Sequence, residues 1–284
     1  MAKETNETSV WLITGCSSGL GRALAEHALE QGDRVAVTAR NRDSVTDLAA
    51  LYGDRALALT LDVTEPESVT AAVTACEAAF GRIDVLVNNA GYGYLAAVEE
   101  GEDAAVRALY DTNVHGVVTV LKAVLPGMRA RHSGRIVNIS SFGGLAAFAA
   151  TGYYHATKFA LEGLSESLAA ELAPLGITVT IAEPGGLRTQ WAGTSMQQSP
   201  TRLDDYEQTA GKRRESTLAV SGSQPGDPVR AAAAIAATVA ADAPPLRLLL
   251  GSDALAGARA RLDRLRHEID TNETLTKSVD LEKV

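Results

Sequence analysis

Six short apolar segments alternate with helical patterns over the first 185 residues, and this alternation constrains the fold more than any other feature. Continuous apolar strands that alternate with helices are typical of a parallel sheet covered by helices on both faces. We therefore predict an α/β fold with a doubly wound parallel sheet, in which ligands bind at the carboxyl ends of the strands. The predicted strands are 10–14, 34–39, 56–61, 84–89, 135–140 and 178–184, and the predicted helices lie near 20–31, 66–80, 103–130 and 153–173.

The pattern lapses after Pro184 and returns near residue 227. Residues 186–226 are rich in serine, threonine, glutamine, glycine and charge, and this stretch is longer than an ordinary connection between elements. We predict a substrate lid with short helices here, with partial disorder as the alternative. Because no repeat or linker divides the chain, residues 1–284 are predicted to form a single domain. Its last part comprises a helix near 227–241, a strand at 247–251, a helix near 254–269 and a polar tail at 270–284.

Composition and charge exclude several classes of protein. The net charge of -9 argues against a nucleic-acid partner, since phosphate binding depends on an excess of lysine and arginine. The five histidines show no metal-ligand spacing, so no metal is predicted. Cys16 and Cys76 are isolated, as in proteins of a reducing compartment. The polar N-terminus lacks the apolar core of a signal peptide, and the apolar run at 231–241 is about half of the roughly 20 residues that span a bilayer. We predict a cytoplasmic protein that does not associate with membranes.

A glycine-rich turn, TGCSSGLG, joins the first strand to the first helix. Gly15, Gly19 and Gly21 allow the backbone to turn tightly and to approach a ligand closely. The free N–H groups and the positive end of the helix dipole then favour a phosphate. The position of this turn at the start of a βαβ chain predicts a dinucleotide site of the Rossmann type. The alternative is a structural turn without a ligand.

Two adjacent tyrosines and a lysine lie at the start of the predicted helix 153–173. Side chains four residues apart share a helix face, so Tyr154 pairs with Lys158, whereas Tyr153 pairs with Thr157. Taken alone, this pair favours the interpretation in which Tyr154 is a core residue and Lys158 an ordinary solvated lysine.

Five motifs in order resemble those of the classical short-chain dehydrogenases and reductases. TGCSSGLG is similar to the cofactor turn of that family, and NNAG at 88–91 resembles its fourth-strand motif. Tyr154 and Lys158 fit its YxxxK pattern, Ser141 and Asn113 fall where its catalytic serine and asparagine are found, and PGGLRT at 184–189 is similar to the motif after its sixth strand. The resemblance covers about residues 8–251. Tyr153, His155 and the sequence FGG after Ser141 depart from the usual pattern, and we interpret Tyr153 as a packing residue.

The resemblance implies an oxidoreductase that acts on a small-molecule carbonyl or alcohol. Tyr154 would be the general acid in carbonyl reduction and the base in alcohol oxidation. Lys158 would bind the nicotinamide ribose, Ser141 would polarise the carbonyl, and Asn113 would anchor a water molecule. A cation about 4 Å from a phenol can lower its pKa by roughly three units, so we expect Lys158, together with an oxidised nicotinamide, to lower the pKa of Tyr154. Helices 103–130 and 153–173 form a dimer interface in many members, which implies a homodimer or homotetramer.

The resemblance also implies the cofactor and substrate contacts. For Asp62 the alternative is an acid in a turn at the strand end. The substrate wall, predicted to suit a fairly apolar ketone or secondary alcohol, would comprise Tyr92, Tyr94, Phe142, Phe148, Leu187 and Trp191. The cofactor would contact Gly15, Ser17, Ser18, Gly19, Leu20, Gly21, Arg40, Asp62, Val63, Asn89, Ala90, Gly91, Tyr154, Lys158, Pro184, Gly185, Leu187 and Thr189.

The end of the second strand favours NADP(H) as the cofactor. Sites that prefer NAD place an acid there, and this chain has Ala39 followed by Arg40. A guanidinium suits the 2′-phosphate of NADP. Ser18 stands where many NADP-using members have a second cation, so the preference is expected to be moderate. The alternatives are an NAD(H)-dependent enzyme of the same family, with Arg40 a solvated loop residue, and a non-catalytic dinucleotide sensor, which we would expect to lack the Ser, Tyr or Lys.

Overall fold

A seven-stranded parallel sheet forms the centre of the protein, shown by a computed structural model that describes residues 8–193 and 195–281. The strands of this sheet are β1 (Val10–Ile13), β2 (Arg34–Ala39), β3 (Ala56–Thr60), β4 (Val85–Asn88), β6 (Gly134–Ile139), β7 (Ile177–Pro184) and β9 (Arg247–Leu250). Their order is β3-β2-β1-β4-β6-β7-β9. The order in which strands are added to the sheet therefore reverses between β1 and β4. A crevice forms there at the carboxyl ends of the strands. A separate two-stranded parallel sheet pairs β5 (Gly93–Leu95) with β8 (Met196–Gln198).

Helices cover both faces of the large sheet. The α-helices are α1 (Gly19–Glu30), α2 (Thr46–Tyr52), α3 (Pro66–Phe80), α4 (Asp103–Tyr110), α5 (Gly116–Arg131), α6 (Gly152–Leu172), α7 (Lys212–Ala219), α8 (Pro228–Ala240), α9 (Ser252–Thr271) and α10 (Glu273–Lys277). Side chains of α1 and α8 share one apolar core, and those of α3, α5 and α6 share a second. Along β1, Trp11 and Ile13 enter the first core while Val10 and Leu12 enter the second. Both faces of the strand are buried, which explains the unbroken apolar segments of the sequence.

The predicted fold, a single Rossmann-type α/β domain, is confirmed, and all seven predicted strands are present. The predicted helix at 103–130 consists of α4, a π-helical segment (Asp111–His115) and α5 in continuous succession. The predicted polar tail at 270–284 is partly helical, since it includes the end of α9 and all of α10. The first seven residues and 282–284 lie outside the described residues. No helix in 8–193 or 195–281 combines the length and the apolar character needed to cross a membrane.

Residues 186–226 leave the sheet after β7 and return to nearly the same point. The N–H of Gly226 donates to the carbonyl oxygen of Gly186 (2.9 Å), and the N–H of Arg188 donates to that of Gly226 (2.8 Å). Between these ends the segment contains α7 and shorter helical turns, as predicted, together with the strand β8, which was not, while residue 194 lies outside the described part. Its two ends are therefore held together while its middle extends over the carboxyl edge of the sheet.

Candidate active site

A cavity of about 1200 Å³ lies at the carboxyl ends of the strands. The glycine turn and the ends of β2 and β3 line one part of it, and the start of α6 with the 186–226 segment lines another. This is the position in which doubly wound sheets bind ligands. One continuous cavity thus contains both groups of residues that the sequence motifs singled out.

The glycine turn is braced against the end of β4. Gly15 has a φ of +74°, and a Cβ on Gly21 would lie 2.3 Å from Nδ2 of Asn89. That Nδ2 donates to the carbonyl oxygens of Thr14 (2.8 Å) and Gly15 (3.0 Å). A side chain at Gly21 would displace Asn89, so a glycine is needed here for the shape of the turn. Gly21 itself does not line the cavity. The turn is held in place by the protein's own amide groups.

The start of α1 suits an anionic group. Ser18 is the N-cap residue but makes no side-chain cap, and the first turn of the helix carries no acidic residue. Ser17, Ser18, Gly19 and Leu20 all line the cavity. Uncapped N–H groups and the positive end of the helix dipole therefore face a space that a phosphate could enter.

Tyr154 and Lys158 lie one turn apart on α6, and both are buried. The Nζ of Lys158 donates to the carbonyl oxygen of Ile139 (2.8 Å) and lies 5.8 Å from the centroid of the Tyr154 ring. Burial lowers the pKa of Lys158 to about 8, while the charge of Glu162 acts in the opposite direction. At neutral pH the lysine is therefore still mostly protonated.

The direction of the Tyr154 pKa corrects an expectation from the sequence. Burial raises the pKa of Tyr154 to about 12, and a hydrogen bond with Ser141 only partly offsets this effect. The lowering expected from Lys158 is thus wrong for the protein's own groups, because desolvation of the phenolate dominates and the hydrogen bond with Ser141 is what opposes it. Tyr154 carries its proton at neutral pH.

Ser141 and Asn113 occupy different environments. Ser141 lines the cavity, and its Oγ accepts from the N–H of Gly143 (3.0 Å). Asn113 is fully buried within the π-helical segment and does not line the cavity. Its Nδ2 donates to the carbonyl oxygen of Tyr92 (2.9 Å) and to Oγ1 of Thr157 (3.1 Å). The side chain of Asn113 therefore ties the loop after β4 to α6, and π-helical turns of this kind often occur at functional sites.

Most of the predicted site residues meet in the cavity. The predicted residues outside its lining are Gly21, Asn113 and Tyr94. Tyr94 was predicted to line the substrate pocket, and this is wrong. It lies on β5, is 1% exposed, and packs its ring 6.2 Å from that of Tyr153, while its hydroxyl accepts from the N–H of Glu102 (3.2 Å). Neighbouring strand residues face opposite sides, and this alternation directs Tyr94 into the core.

Tyr153 lies outside the cavity, as the packing interpretation predicted. Its hydroxyl donates to the carbonyl oxygen of Val98 (2.6 Å). The neighbouring tyrosines of α6 therefore face different environments, and only Tyr154 reaches the cavity.

The charged residues near the ends of β2 and β3 differ in whether they already form hydrogen bonds within the protein. Arg40 is exposed and lines the cavity, with no hydrogen bond or ion pair to other residues in the described ranges. Arg42 donates from Nε to the carbonyl oxygen of Ala58 (2.9 Å). Asp62 lines the cavity, and its Oδ1 accepts from the N–H (2.9 Å) and Oγ1 (2.7 Å) of Thr64. Asp62 therefore forms a turn with Thr64, which was the alternative to a cofactor contact, and it also lines the cavity.

The cavity residues that sequence reasoning missed include His155, Arg213 and Asp253. His155 Nδ1 accepts from the N–H of Phe148 (3.1 Å), and burial lowers the pKa of this histidine to about 4. Its position beside Tyr154 was the signal that could have identified it. Asp253, at the start of α9, accepts from the N–H of Gly186 (2.8 Å). No motif marks Asp253 or Arg213, because only the return of the chain brings them to the cavity.

Comparison with known proteins agrees with this geometry. The family model of the short chain dehydrogenases matches residues 9–200. Oxidoreductase BOA17 of Botryotinia fuckeliana is 44% identical over 87% of this chain and 90% of its own length. The crystal structure of a short-chain dehydrogenase from Streptomyces avermitilis is 44% identical, covers 97% of this chain and 100% of its own, and superposes with a TM-score of 0.91. A 3-ketoacyl-(acyl-carrier-protein) reductase from Brucella melitensis, complexed with NADH, is 27% identical with a TM-score of 0.73 over 86% of this chain and 96% of its own.

These matches show that the chain belongs to the short-chain dehydrogenase family. It is an oxidoreductase of the kind that acts on CH–OH groups.

Proposed function

We propose that this dehydrogenase interconverts a ketone or aldehyde and an alcohol with NADP(H), and that Tyr154 is its general acid and base. One observation carries the proposal: a single cavity joins the glycine turn and Arg40 to Tyr154, Ser141 and Lys158. The nicotinamide cofactor, when bound, supplies the hydride. The residues of this chain bind the reactants, orient them and move the proton.

The cavity fits a dinucleotide. Its volume of about 1200 Å³ is large enough for a cofactor and a substrate side by side. The open start of α1 suits the pyrophosphate, and a Cβ on Gly15 would come within 3.0 Å of the Cα of Ala90. Asp62 and Val63 would border the adenine, and Gly91, Pro184, Gly185, Leu187 and Thr189 would border the nicotinamide side.

Tyr154 is placed to transfer a proton. Because its pKa is raised to about 12, the phenol keeps its proton at neutral pH and can donate it to a carbonyl oxygen during reduction. The hydroxyl of Ser141 lies beside the phenol and would donate a second hydrogen bond to that oxygen. In alcohol oxidation the phenol must lose its proton first, and the buried ammonium of Lys158 favours the phenolate. Asn113 would contribute to a proton relay through the two groups that it bonds, the carbonyl of Tyr92 and the hydroxyl of Thr157.

The preference for NADP(H) rests on the end of β2. Ala39 is buried there, no carboxylate occupies that strand end, and the neighbouring Arg40 lines the cavity. Arg22, on the first turn of α1, already pairs with Glu26 and Asp47 and is not available for a phosphate. The 2′-phosphate would therefore be bound by Arg40, which agrees with a moderate preference.

The walls near Tyr154 favour an apolar substrate. Trp191 lies 5.1 Å from the ring of Tyr154, and Phe142 lies 5.7 Å from that of Phe148, with each distance taken between ring centroids. Tyr92 and Leu187 complete this part of the lining. A ketone or secondary alcohol with apolar groups on either side of the reacting carbon fits these surfaces.

We further propose a cytoplasmic homodimer or homotetramer. Both cysteines are free and buried, as suits a reducing compartment. Phe159 on α6 is 43% exposed, and burial of this ring against a second copy would stabilise an assembly. Sedimentation of the purified protein would measure its mass in solution.

The proposed activity is tested by titrating the protein with NADPH and with NADH while recording the fluorescence of its two tryptophans, Trp11 and Trp191, followed by a panel of apolar ketones and secondary alcohols. We expect tighter binding of NADPH and turnover of apolar ketones that requires Tyr154. Binding without turnover of any carbonyl or alcohol would support the non-catalytic sensor instead.

A further inference from the structure

Three carboxylates converge on Arg247, behind the part of α6 that carries Tyr154 and Lys158. Nη1 of Arg247 donates to Oε1 of Glu183 (2.6 Å) and to Oε2 of Glu162, and Nη2 donates to Oε1 of Glu166. The side chains of Glu162 and Glu183 are 7% and 1% exposed, whereas that of Glu166 is 54% exposed. Glu162 and Glu183 are therefore both buried, and both accept a hydrogen bond from the same atom, Nη1 of Arg247.

The buried pair lacks donors for its remaining oxygens. Oε1 of Glu162 and Oε2 of Glu183 are inaccessible to solvent and have no hydrogen-bond partner among the described residues. Burial, and after it the charge of Glu162, raises the pKa of Glu183 to about 7, while Arg247 acts in the opposite direction. Two carboxylates offer only acceptors, so a hydrogen bond between them requires a proton on one of them. The geometry thus shows two buried carboxyl groups on one guanidinium nitrogen, an arrangement that favours a proton on one of them.

Glu162 also lies one helical turn beyond Lys158. Burial lowers the pKa of Lys158, and the charge of Glu162 is what opposes this effect. Tyr154 and His155 are neutral around pH 7, since their pKa values are about 12 and about 4. The elements packed around Lys158 carry the following charged or titratable groups: Tyr153, Tyr154, His155, Glu162, Glu166 and Glu171 on α6, Asp103, Arg107 and Tyr110 on α4, Glu183 on β7, Arg247 on β9, Asp253 on α9, and Asp111 and His115 of the π-helical segment, which pair with each other at the surface.

We propose that Glu162, which shares a proton with Glu183 and is held by Arg247, is a positioning residue that keeps Lys158 protonated. As pH rises, the pair loses its shared proton and its negative charge grows. The added charge stabilises the ammonium in the range where burial alone would neutralise it. The catalytic meaning of this inference rests on the proposed function, but the protonation state of Lys158 does not.

The direct test is an NMR titration of protein labelled with ¹³C at the lysine Cε. The six lysines are Lys3, Lys122, Lys158, Lys212, Lys277 and Lys283, and the Lys158 signal is assigned by its loss in Lys158→Met. Of those that are described, Lys158 is buried and the others are exposed, so its signal should have the lowest midpoint. We expect Glu162→Gln to move this midpoint down by about one pH unit. Glu166→Gln, the matched change on the exposed arm of Arg247, should leave it in place. Equal midpoints in wild type and Glu162→Gln would overturn the proposal.

A second variant keeps the proposal testable if Glu162→Gln folds poorly. Glu183→Gln removes the partner of the shared proton and leaves the full charge on Glu162, so the Lys158 midpoint should not fall. A fall as large as that expected for Glu162→Gln would contradict the proposal. In turnover, the basic limb of kcat against pH should move with the NMR midpoint. Absence of turnover would affect the proposed function alone, because the NMR titration requires neither cofactor nor substrate.

Discussion

The buried carboxylate of Glu100 forms an ion pair with Arg214, 114 residues further along the chain. Glu100 also accepts from the N–H groups of Leu203 (2.9 Å) and Ala97 (3.0 Å). Burial raises the pKa of Glu100, but these donors and the guanidinium outweigh it, so the net direction is downward. Because Ala97 and Glu100 lie just after β5, the contacts anchor the 186–226 segment beside the active site.

We predict that Glu100→Gln loosens the segment without unfolding the sheet. Loss of one partner leaves Arg214 buried without its counter-ion, which typically costs about 3–5 kcal/mol. Amide hydrogen exchange should rise in residues 196–219 and stay unchanged in β1 and β4. The control is Glu99→Gln, because Glu99 is exposed and, among the residues that the structure describes, bonds only the hydroxyl of Tyr206. Equal exchange in both variants would show that the ion pair is not the anchor.

The lid role predicts that ligands slow exchange in the same segment. Addition of NADPH and an unreactive ketone analogue to the wild type should protect residues 186–226 more than either ligand alone. If protection in the ternary complex equals that of the free protein, the segment is a fixed wall and not a lid.

The two tyrosines of α6 should respond differently to loss of the hydroxyl. Tyr154→Phe removes the transferable proton, so kcat should fall by about 10²–10⁴-fold while cofactor affinity stays nearly unchanged. Tyr153→Phe loses only the hydrogen bond to Val98, so activity should persist with a stability loss of about 1 kcal/mol. Steady-state rates and urea unfolding measure both effects. An active Tyr154→Phe enzyme would refute the assignment.

The end of β2 should determine cofactor preference. Ala39→Asp with Arg40→Ile introduces an acceptor for the ribose hydroxyls and removes the cation proposed to bind the 2′-phosphate. Since hydrogen bonds to charged groups contribute about 1.5–3 kcal/mol, the ratio of kcat/KM for NADPH over NADH should fall by roughly 10–100-fold. Arg42→Ile is the matched control, because Arg42 is engaged with Ala58. A wild-type enzyme that prefers NADH would contradict the NADP(H) proposal.

His155 should make the protein less stable in mild acid. Burial, followed by the charge of Arg213, lowers its pKa from 6.5 to about 4, so the folded state keeps it neutral while the unfolded chain binds a proton below 6.5. Stability is therefore lost as pH falls, by about 2 kcal/mol between about pH 7 and about pH 5.

The comparison for this prediction is His155→Gln, which keeps an acceptor near the N–H of Phe148 but does not titrate. Urea unfolding of both proteins over this pH range isolates the histidine, since Glu183 and the other groups titrate in both. A wild type and variant with parallel pH dependence would show that His155 is not responsible.

Local sequence patterns determined the large sheet, the main helices and the chemistry-bearing residues. The apolar segments specified the seven strands because the central ones are buried on both faces, and helical spacing placed Tyr154 and Lys158 on one face of α6. These features depend on neighbours within about one helical turn or one strand, so the sequence expresses them directly. The three-residue strands β5 and β8 escaped prediction because elements so short carry no measurable period.

The tertiary structure decided whatever depends on residues that are distant in the chain. It directed Tyr94 into the core through the pairing of β5 with β8, and it brought Asp253 to the cavity. It also reversed the expected direction of the Tyr154 pKa, because burial by the surrounding elements outweighs the hydrogen bond with Ser141. The convergence of Glu162 and Glu183 on Arg247 likewise joins α6, β7 and β9. Desolvation and long-range charge depend on which elements pack together, and only the folded chain establishes that.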